Sequence, residues 1–364
     1  MGLIIRHVFR RNKIVKSWFA TVAQLAEFDT IIDVRSPAEF ADDHVPGAIN
    51  CPVLDNEERA RVGTIYKQVS PFEARKIGAA LVARNIARHL EEQFQKQPKH
   101  WRPLIYCWRG GQRSGAFTHI LREIGWAAHR LEGGYKSWRH SVIERLAALP
   151  PKLSFHVICG PTGSGKSRLL EALAAKGAQV LHLEQLAAHR GSVLGGLPGE
   201  NQPSQRTFES LLMFALSRFD LRLPVFVESE SRRIGVLNLP DHLYHTMHAA
   251  PSLQLDTRFE ARVAFLLRDY AYFLTDVNLK AQLERLRGLQ SNETLKRWLQ
   301  YVERGDFEPL VTELLQMHYD PHYQSSLRRH FTARTTMPQY QLDDVSGEKL
   351  RQLAARIVAG TSSS

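Results

Sequence analysis

Two parallel α/β domains in tandem, the second carrying extra helices towards its C-terminal part, are the fold class this sequence predicts. Three observations lead to it. Short apolar strands run into glycine-rich turns and then helices at two separate places, residues 103–107 and 154–159. Between them, Leu149-Pro150-Pro151-Lys152 reads as a linker. The chain has 364 residues, enough for two cores at about 150 residues per domain. The expected domains are residues 1–148 and 149–364, with a helical part at about 258–318.

Taken in order, residues 30–34 (Thr30-Ile31-Ile32-Asp33-Val34) and 103–107 form the first strands, and a helix follows at about 114–124. After the linker, residues 154–159 begin a second strand series continued at 178–181, 225–227 and 253–255. A helix is expected at 206–216. Residues 258–315 are patterned mostly as helices, among them 279–289 and 295–302, and a last helix covers about 348–358.

Composition bounds the function. Hydrophobic residues at 43% and charged residues at 23% exclude a disordered chain or a fibre. No apolar run approaches the ~20 residues that span a bilayer. Met1–Arg6 is too short in its apolar stretch for a secretory leader and lacks the hydroxyl that myristoylation favours. Cys51, Cys107 and Cys159 form no CxxC and no paired framework, so a reducing cytoplasm is expected. The net charge of +11 points to a polyanion, with nucleic acid leading.

Residues 160–167 match GxxxxGK[ST] in full, between a strand and a helix. Gly160, Gly163, Ser164 and Gly165 let backbone N–H groups turn around phosphate oxygens at a helix N-terminus. Lys166 would neutralise a terminal phosphate, and Ser167 would reach Mg²⁺. The motif reads phosphates and says nothing of the group attached, so ATP is not implied. Glu228, at a strand end, is the candidate metal-side carboxylate, with Glu230 and Asp256 nearby alternatives. Arg232 and Arg233 are candidate phosphate clamps, and His189 and Arg190 candidate substrate contacts.

Cys107-Trp108-Arg109-Gly110-Gly111-Gln112-Arg113-Ser114 places a thiol at a strand end before a helix. Loop N–H groups, the helix terminus, Arg109 and Arg113 all favour a thiolate, so Cys107 is expected to be a nucleophile beside an anion cradle. Cys51 and Cys159 lie in apolar contexts and read as core.

Residues 33–40, 44–50 and 131–138 resemble the signatures of rhodanese domains, over about residues 15–145. That resemblance implies a chalcogen carried on Cys107. Here five residues separate Cys107 from Arg113, where most rhodaneses have four. The spacing is that of Cys-x5-Arg phosphatases, so a phosphatase stays an alternative, although Tyr106 stands where those have His and no general-acid Asp is evident. A sulfurtransferase with a nucleotide-binding regulatory domain is another, as is a sensor or adaptor. An adenylating thiolation enzyme would need an SGGxDS loop, which is absent.

The pairing of these two modules resembles the tRNA 2-selenouridine synthase family, as do residues 63–75, 188–192, 202–205 and 228–235. The resemblance implies replacement of sulfur by selenium at C2 of wobble 2-thiouridine in tRNA. It implies selenophosphate as donor, and an S-geranyl intermediate made from geranyl diphosphate. The basic helices 280–287 and 296–304, with Trp298 and Tyr301, are candidates to grip the anticodon region; core packing is the competing role for Trp298.

Overall fold

The computed structural model describes residues 18–191, 195–196, 201–269, 271, 279–330 and 338–361. Met1–Arg6, read above for a leader, and Ser192 lie outside them. Two compact units result, Met1–Arg145 with Arg206–Arg218, and Leu146–Gln205 with Phe219–Ser364. The helix Gln205–Leu216, read within the second half, thus groups with the first unit for nearly all its length. Ser210 Oγ donates to the buried Asp43 carboxylate there, at 3.1 Å.

In the first unit β1 (Phe19–Ala20), β2 (Thr30–Asp33), β3 (Ile49–Asn50), β4 (Pro103–Tyr106) and β5 (His129–Leu131) form one sheet in the order β1-β5-β4-β2-β3. All pairings are parallel. A parallel sheet covered on both faces wants uninterrupted apolar strands, and all four residues of β4 are buried. The core gathers Ile32, Ile105, Phe117 and Leu121 around the sheet. Helices Asn56–Gln68 and Pro71–His89, which the sequence reading did not place, intervene between β3 and β4. Asp55 caps the first, accepting from Glu58 N, and Ser70 caps the second.

One buried ion pair ties the signatures together. Arg35 donates through Nε and Nη2 to Asp33, at 3.0 and 2.6 Å, and through Nη2 to Asp43 O. Its guanidinium lies 3.9 Å from the Tyr135 ring centroid, and Tyr135 Oη donates to Asp43. Both charges are almost fully buried. Arg35→Ala would strand the Asp33 carboxylate, so the expected loss of stability is about 3–5 kcal/mol, read by urea unfolding.

In the second unit β6 (Phe155–Cys159), β7 (Gln179–Leu181), β8 (Val225–Glu228), a short antiparallel hairpin of β9 (Arg233–Ile234) and β10 (Leu237–Asn238), β11 (Ser252–Thr257) and β12 (Gln339–Leu342) follow in chain order. The main sheet runs β12-β11-β6-β8-β7, parallel throughout. The expected strands are found, and β12 adds one the sequence reading missed. Helices at Phe259–Asp269, Leu279–Glu284, Asn292–Arg304, Phe307–Leu314 and Asp320–His330 therefore lie in the chain between two neighbouring strands of the sheet. The helix Gly347–Thr361 then packs back: Leu350, Leu353 and Ile357 join Leu169, Leu170 and Leu173 in one core.

Two expectations are corrected. The helix read over 279–289 stops at Glu284, and Gly288 at φ +87° turns the chain. The proline pair is no free linker: Pro150–Lys152 forms a 3₁₀ turn with Pro150 buried. Among the described residues no helix is long and apolar enough to cross a membrane.

Candidate active sites

The Cys107 loop leaves β4 and enters the helix Gln112–Glu123. Its sulfur sits 3.3 Å from Ser114 Oγ, whose hydroxyl is within reach of Gly111 O. The segment after β5 seals the loop: Tyr135 N donates to Cys107 O, and Lys136 N to Trp108 O. Gly134, at φ +62°, must be glycine, since a Cβ there would stand 2.3 Å from Cys107 O. The surrounding pocket is lined by Glu39, Arg59, Trp108, Arg109 and Arg113 with Cys107.

The two guanidiniums expected around the thiol differ in state. Arg109 is exposed, whereas Arg113 Nη1 donates to Glu39 Oε2 at 2.8 Å. Burial alone would raise the Glu39 carboxyl, but the Arg113 bond and charge outweigh it and hold it low. Glu39 thus stays ionised, a poor general acid, and no aspartate lines the pocket. Cys51 is the contrast: burial, then the Asp33 charge, push its thiol up to about 12. Cys51 and Cys159 are core residues, as expected.

The phosphate loop lies between β6 and the helix Lys166–Ala175. Gly165 adopts φ +85°, and a Cβ would meet Val345 at 2.4 Å, so the turn between β12 and the last helix enforces this glycine. Lys166 Nζ donates to Gly160 O at 2.7 Å. Ser167 Oγ donates to Glu184 Oε2 at 2.8 Å, and Glu184 N in turn donates to Glu228 Oε1 at 2.8 Å. Glu184 was not anticipated, because it follows β7 with no motif around it. Ser164 Oγ and Glu228 Oε2 are buried without a hydrogen-bond partner. Arg262, also missed, is buried behind the loop, donating to Thr162 O and pairing with Asp320.

The other sequence candidates fall in different places. Arg190 lines the cavity beside the loop. His189 is buried next to it in sequence, accepts from Gly191 N, and has its pKa lowered by burial and by the Arg285 charge. Arg232 pairs with Asp241 and Arg233 donates to Gly235 O; neither lines that cavity. Asp256 is exposed. Trp298 is fully buried and donates to Glu313, as does Tyr301, so core packing is what Trp298 does.

Opposite the loop, the cavity wall is apolar: Phe265, Leu266, Leu279, Leu310, Leu314 and Tyr319 are among its residues. It holds ≈ 120 Å³ of free space. The helical segment that separates β11 from β12 supplies this wall, with a π-helical turn at Leu315–Tyr319.

Burial, then the Glu184 charge, pushes the Glu228 carboxyl up to about 7 from an ordinary 4.5. A folded pKa above the unfolded one means that the native state holds the proton more tightly. The contribution of Glu228 to the stability of the ligand-free protein should therefore be full below about pH 4.5 and fall by about 3 kcal/mol as pH rises through 7. Glu228→Gln should flatten this slope, measured as urea midpoints at pH 5 and pH 8. An unchanged slope would assign it to other groups.

Comparison with known proteins accords with both loops. The family model of the tRNA 2-selenouridine synthase AAA domain matches residues 153–305, and that of the rhodanese-like domain residues 18–141. A tRNA 2-selenouridine synthase of Nitrosomonas europaea is 38% identical over 66% of this chain and 63% of its own length. Those of Bdellovibrio bacteriovorus and Alcanivorax borkumensis are 31% and 34% identical, over 83% and 82% of this chain and 90% of each relative. At more than 30% identity over more than four fifths of its length to two of these relatives, the chain belongs to the tRNA 2-selenouridine synthase family.

Proposed function

We propose that the protein replaces sulfur by selenium at C2 of the wobble 2-thiouridine in tRNA, with selenophosphate as donor and through an S-geranyl intermediate made from geranyl diphosphate. The observation that carries the geranyl half is the phosphate loop facing an apolar wall. A nucleotide base asks for convergent donors and acceptors, whereas Phe265, Leu266, Leu279, Leu310 and Leu314 offer none. A prenyl diphosphate matches both sides: its anion suits the loop N–H groups and Lys166, and its chain suits the wall.

Alkylation needs a stabilised leaving group. The thiocarbonyl sulfur attacks C1 of the geranyl group, the C–O bond breaks, and pyrophosphate departs with Lys166 neutralising its charge. The residues also fit Mg²⁺. Ser167, Glu184 and Glu228 offer hard oxygens, one of them the unpartnered Glu228 Oε2. Among the described residues no three side chains of metal-binding type are placed to hold an ion by themselves. Mg²⁺ keeps waters and shares phosphate oxygens, and it would supply further charge neutralisation at the diphosphate.

In the second half, sulfur has become a thioether-type leaving group. Selenium attacks C2, the C2–S bond breaks, and geranylthiolate leaves and takes a proton; water then cleaves the P–Se bond to give phosphate and 2-selenouridine. The Cys107 loop holds selenophosphate, with the exposed Arg109 neutralising it, Arg113 in its pair with Glu39 bordering the same pocket, and Cys107 steering the selenium towards C2. The excess of basic residues serves tRNA phosphates, so affinity should fall as salt rises.

Nucleoside mass analysis tests the whole reading. With 2-thiouridine tRNA and geranyl diphosphate alone, S-geranyl-2-thiouridine should appear; adding selenophosphate should convert it to 2-selenouridine. If turnover requires ATP hydrolysis, the diphosphate assignment fails.

A further inference from the structure

Beside the thiol loop lies a groove that the chemistry above leaves unused. It runs between helices Asn56–Gln68 and Pro71–His89, with Leu54, Val62, Tyr66, Ala74, Ala79 and Val82 in its lining. Its volume is ≈ 540 Å³, in the usual range of ligand sites, about 300–1,000 Å³. It adjoins the Cys107 pocket: Arg59, Gln112 and Arg113 line both.

Three features mark this groove as built for a ligand. Helix Asn56–Gln68 buries none of its 13 residues, so its apolar side chains do little for the core. At the far end Tyr66, Val69 and Phe72 are 52%, 72% and 65% exposed, an apolar run rimmed by charge. The cations Arg59, Lys67 and Arg75 line the same groove, all exposed.

We propose that this groove receives the geranyl chain of S-geranyl-2-thiouridine while C2 of the base is presented to the Cys107 loop. This inference rests on the geranyl reading given above. The chain hangs from the atom bonded to the reacting carbon, so it must lie within a few bond lengths of the Cys107 pocket. Left in water, its ten carbons would add nothing to binding; laid along Val62, Ala79 and Val82, they favour it. The rim cations match the RNA phosphates that flank the modified base. The groove thus selects the alkylated nucleoside over plain 2-thiouridine and commits selenium transfer to the activated substrate.

The test uses the full chain and synthetic anticodon stem-loop RNAs carrying 2-thiouridine, S-methyl-2-thiouridine or S-geranyl-2-thiouridine, with Kd read by fluorescence anisotropy. The protein should bind the geranyl RNA at least about tenfold more tightly than the S-methyl RNA. Ala79→Trp, which fills the groove, and Ala79→Asn, which wets it without adding charge, should each bring that ratio to about twofold or less. Ala79 is an exposed helical position, so both variants should fold, checked by thermal midpoint and by an unchanged Kd for the 2-thiouridine RNA. A ratio that persists in both Ala79 variants, or that is lost in Leu314→Asp alone, overturns the groove and places the chain in the phosphate-loop cavity. No preference in the unsubstituted protein overturns it as well. Because the geranyl group is installed by synthesis, failure of enzymatic geranylation would sink the earlier reading without touching this measurement.

Discussion

Cys107→Ser should abolish 2-selenouridine formation, by a factor on the order of 10³ or more, while S-geranyl-2-thiouridine continues to form and accumulates. The substitution is nearly isosteric. The loop is held by backbone bonds from Tyr135 and Lys136 and by glycine at 134, none of which involves the sulfur. What changes is the atom: a large, polarisable sulfur that steers selenium towards C2 becomes a small, hard oxygen poorly suited to it. Nucleoside mass analysis after incubation with both donors reads the two products separately. An undiminished selenouridine yield would remove Cys107 from the mechanism.

Lys166→Ala should produce the opposite pattern. Lys166 is the cation of the phosphate loop, at the mouth of the apolar cavity. Losing it should raise the geranyl diphosphate concentration needed for half-maximal alkylation by about 10²-fold, the scale of removing one partner of a desolvated charge pair. Supplied with tRNA that already carries S-geranyl-2-thiouridine, the same variant should exchange selenium at the normal rate. If half-saturation by geranyl diphosphate is unchanged, the loop does not hold that donor. Together the two variants assign one half-reaction to each loop.

Both loops were legible in the sequence because each is encoded by contiguous residues. A strand, a glycine turn and a helix N-terminus can form an anion cradle through local backbone geometry, so the residue types at 107–114 and 160–167 mark each loop within one short stretch. The rhodanese-like signatures were equally readable, since Asp33, Arg35 and Tyr135 are what the buried Asp33–Arg35 pair needs around it.

Side-chain partners across long separations were not readable. Glu39 neutralises Arg113 from 74 residues away, and Glu184 engages Ser167 from 17 residues away. Neither acid stands out from an ordinary surface glutamate until the sheet brings it to its partner. Trp298 shows the converse, a residue whose helical spacing with Leu295 and Val302 pointed to the core, where it is found.

The sequence by itself determined two α/β units, the two anion loops and their order, because hydrogen-bonding patterns and side-chain periodicity act over a few residues. Tertiary structure alone decided that β12 returns to complete the second sheet, that the helices before it wall a cavity facing the phosphate loop, and that a groove adjoins the Cys107 pocket. Those are consequences of which apolar faces find each other once the whole chain collapses. Burial depends on summed contacts between distant segments, and no local pattern records that sum.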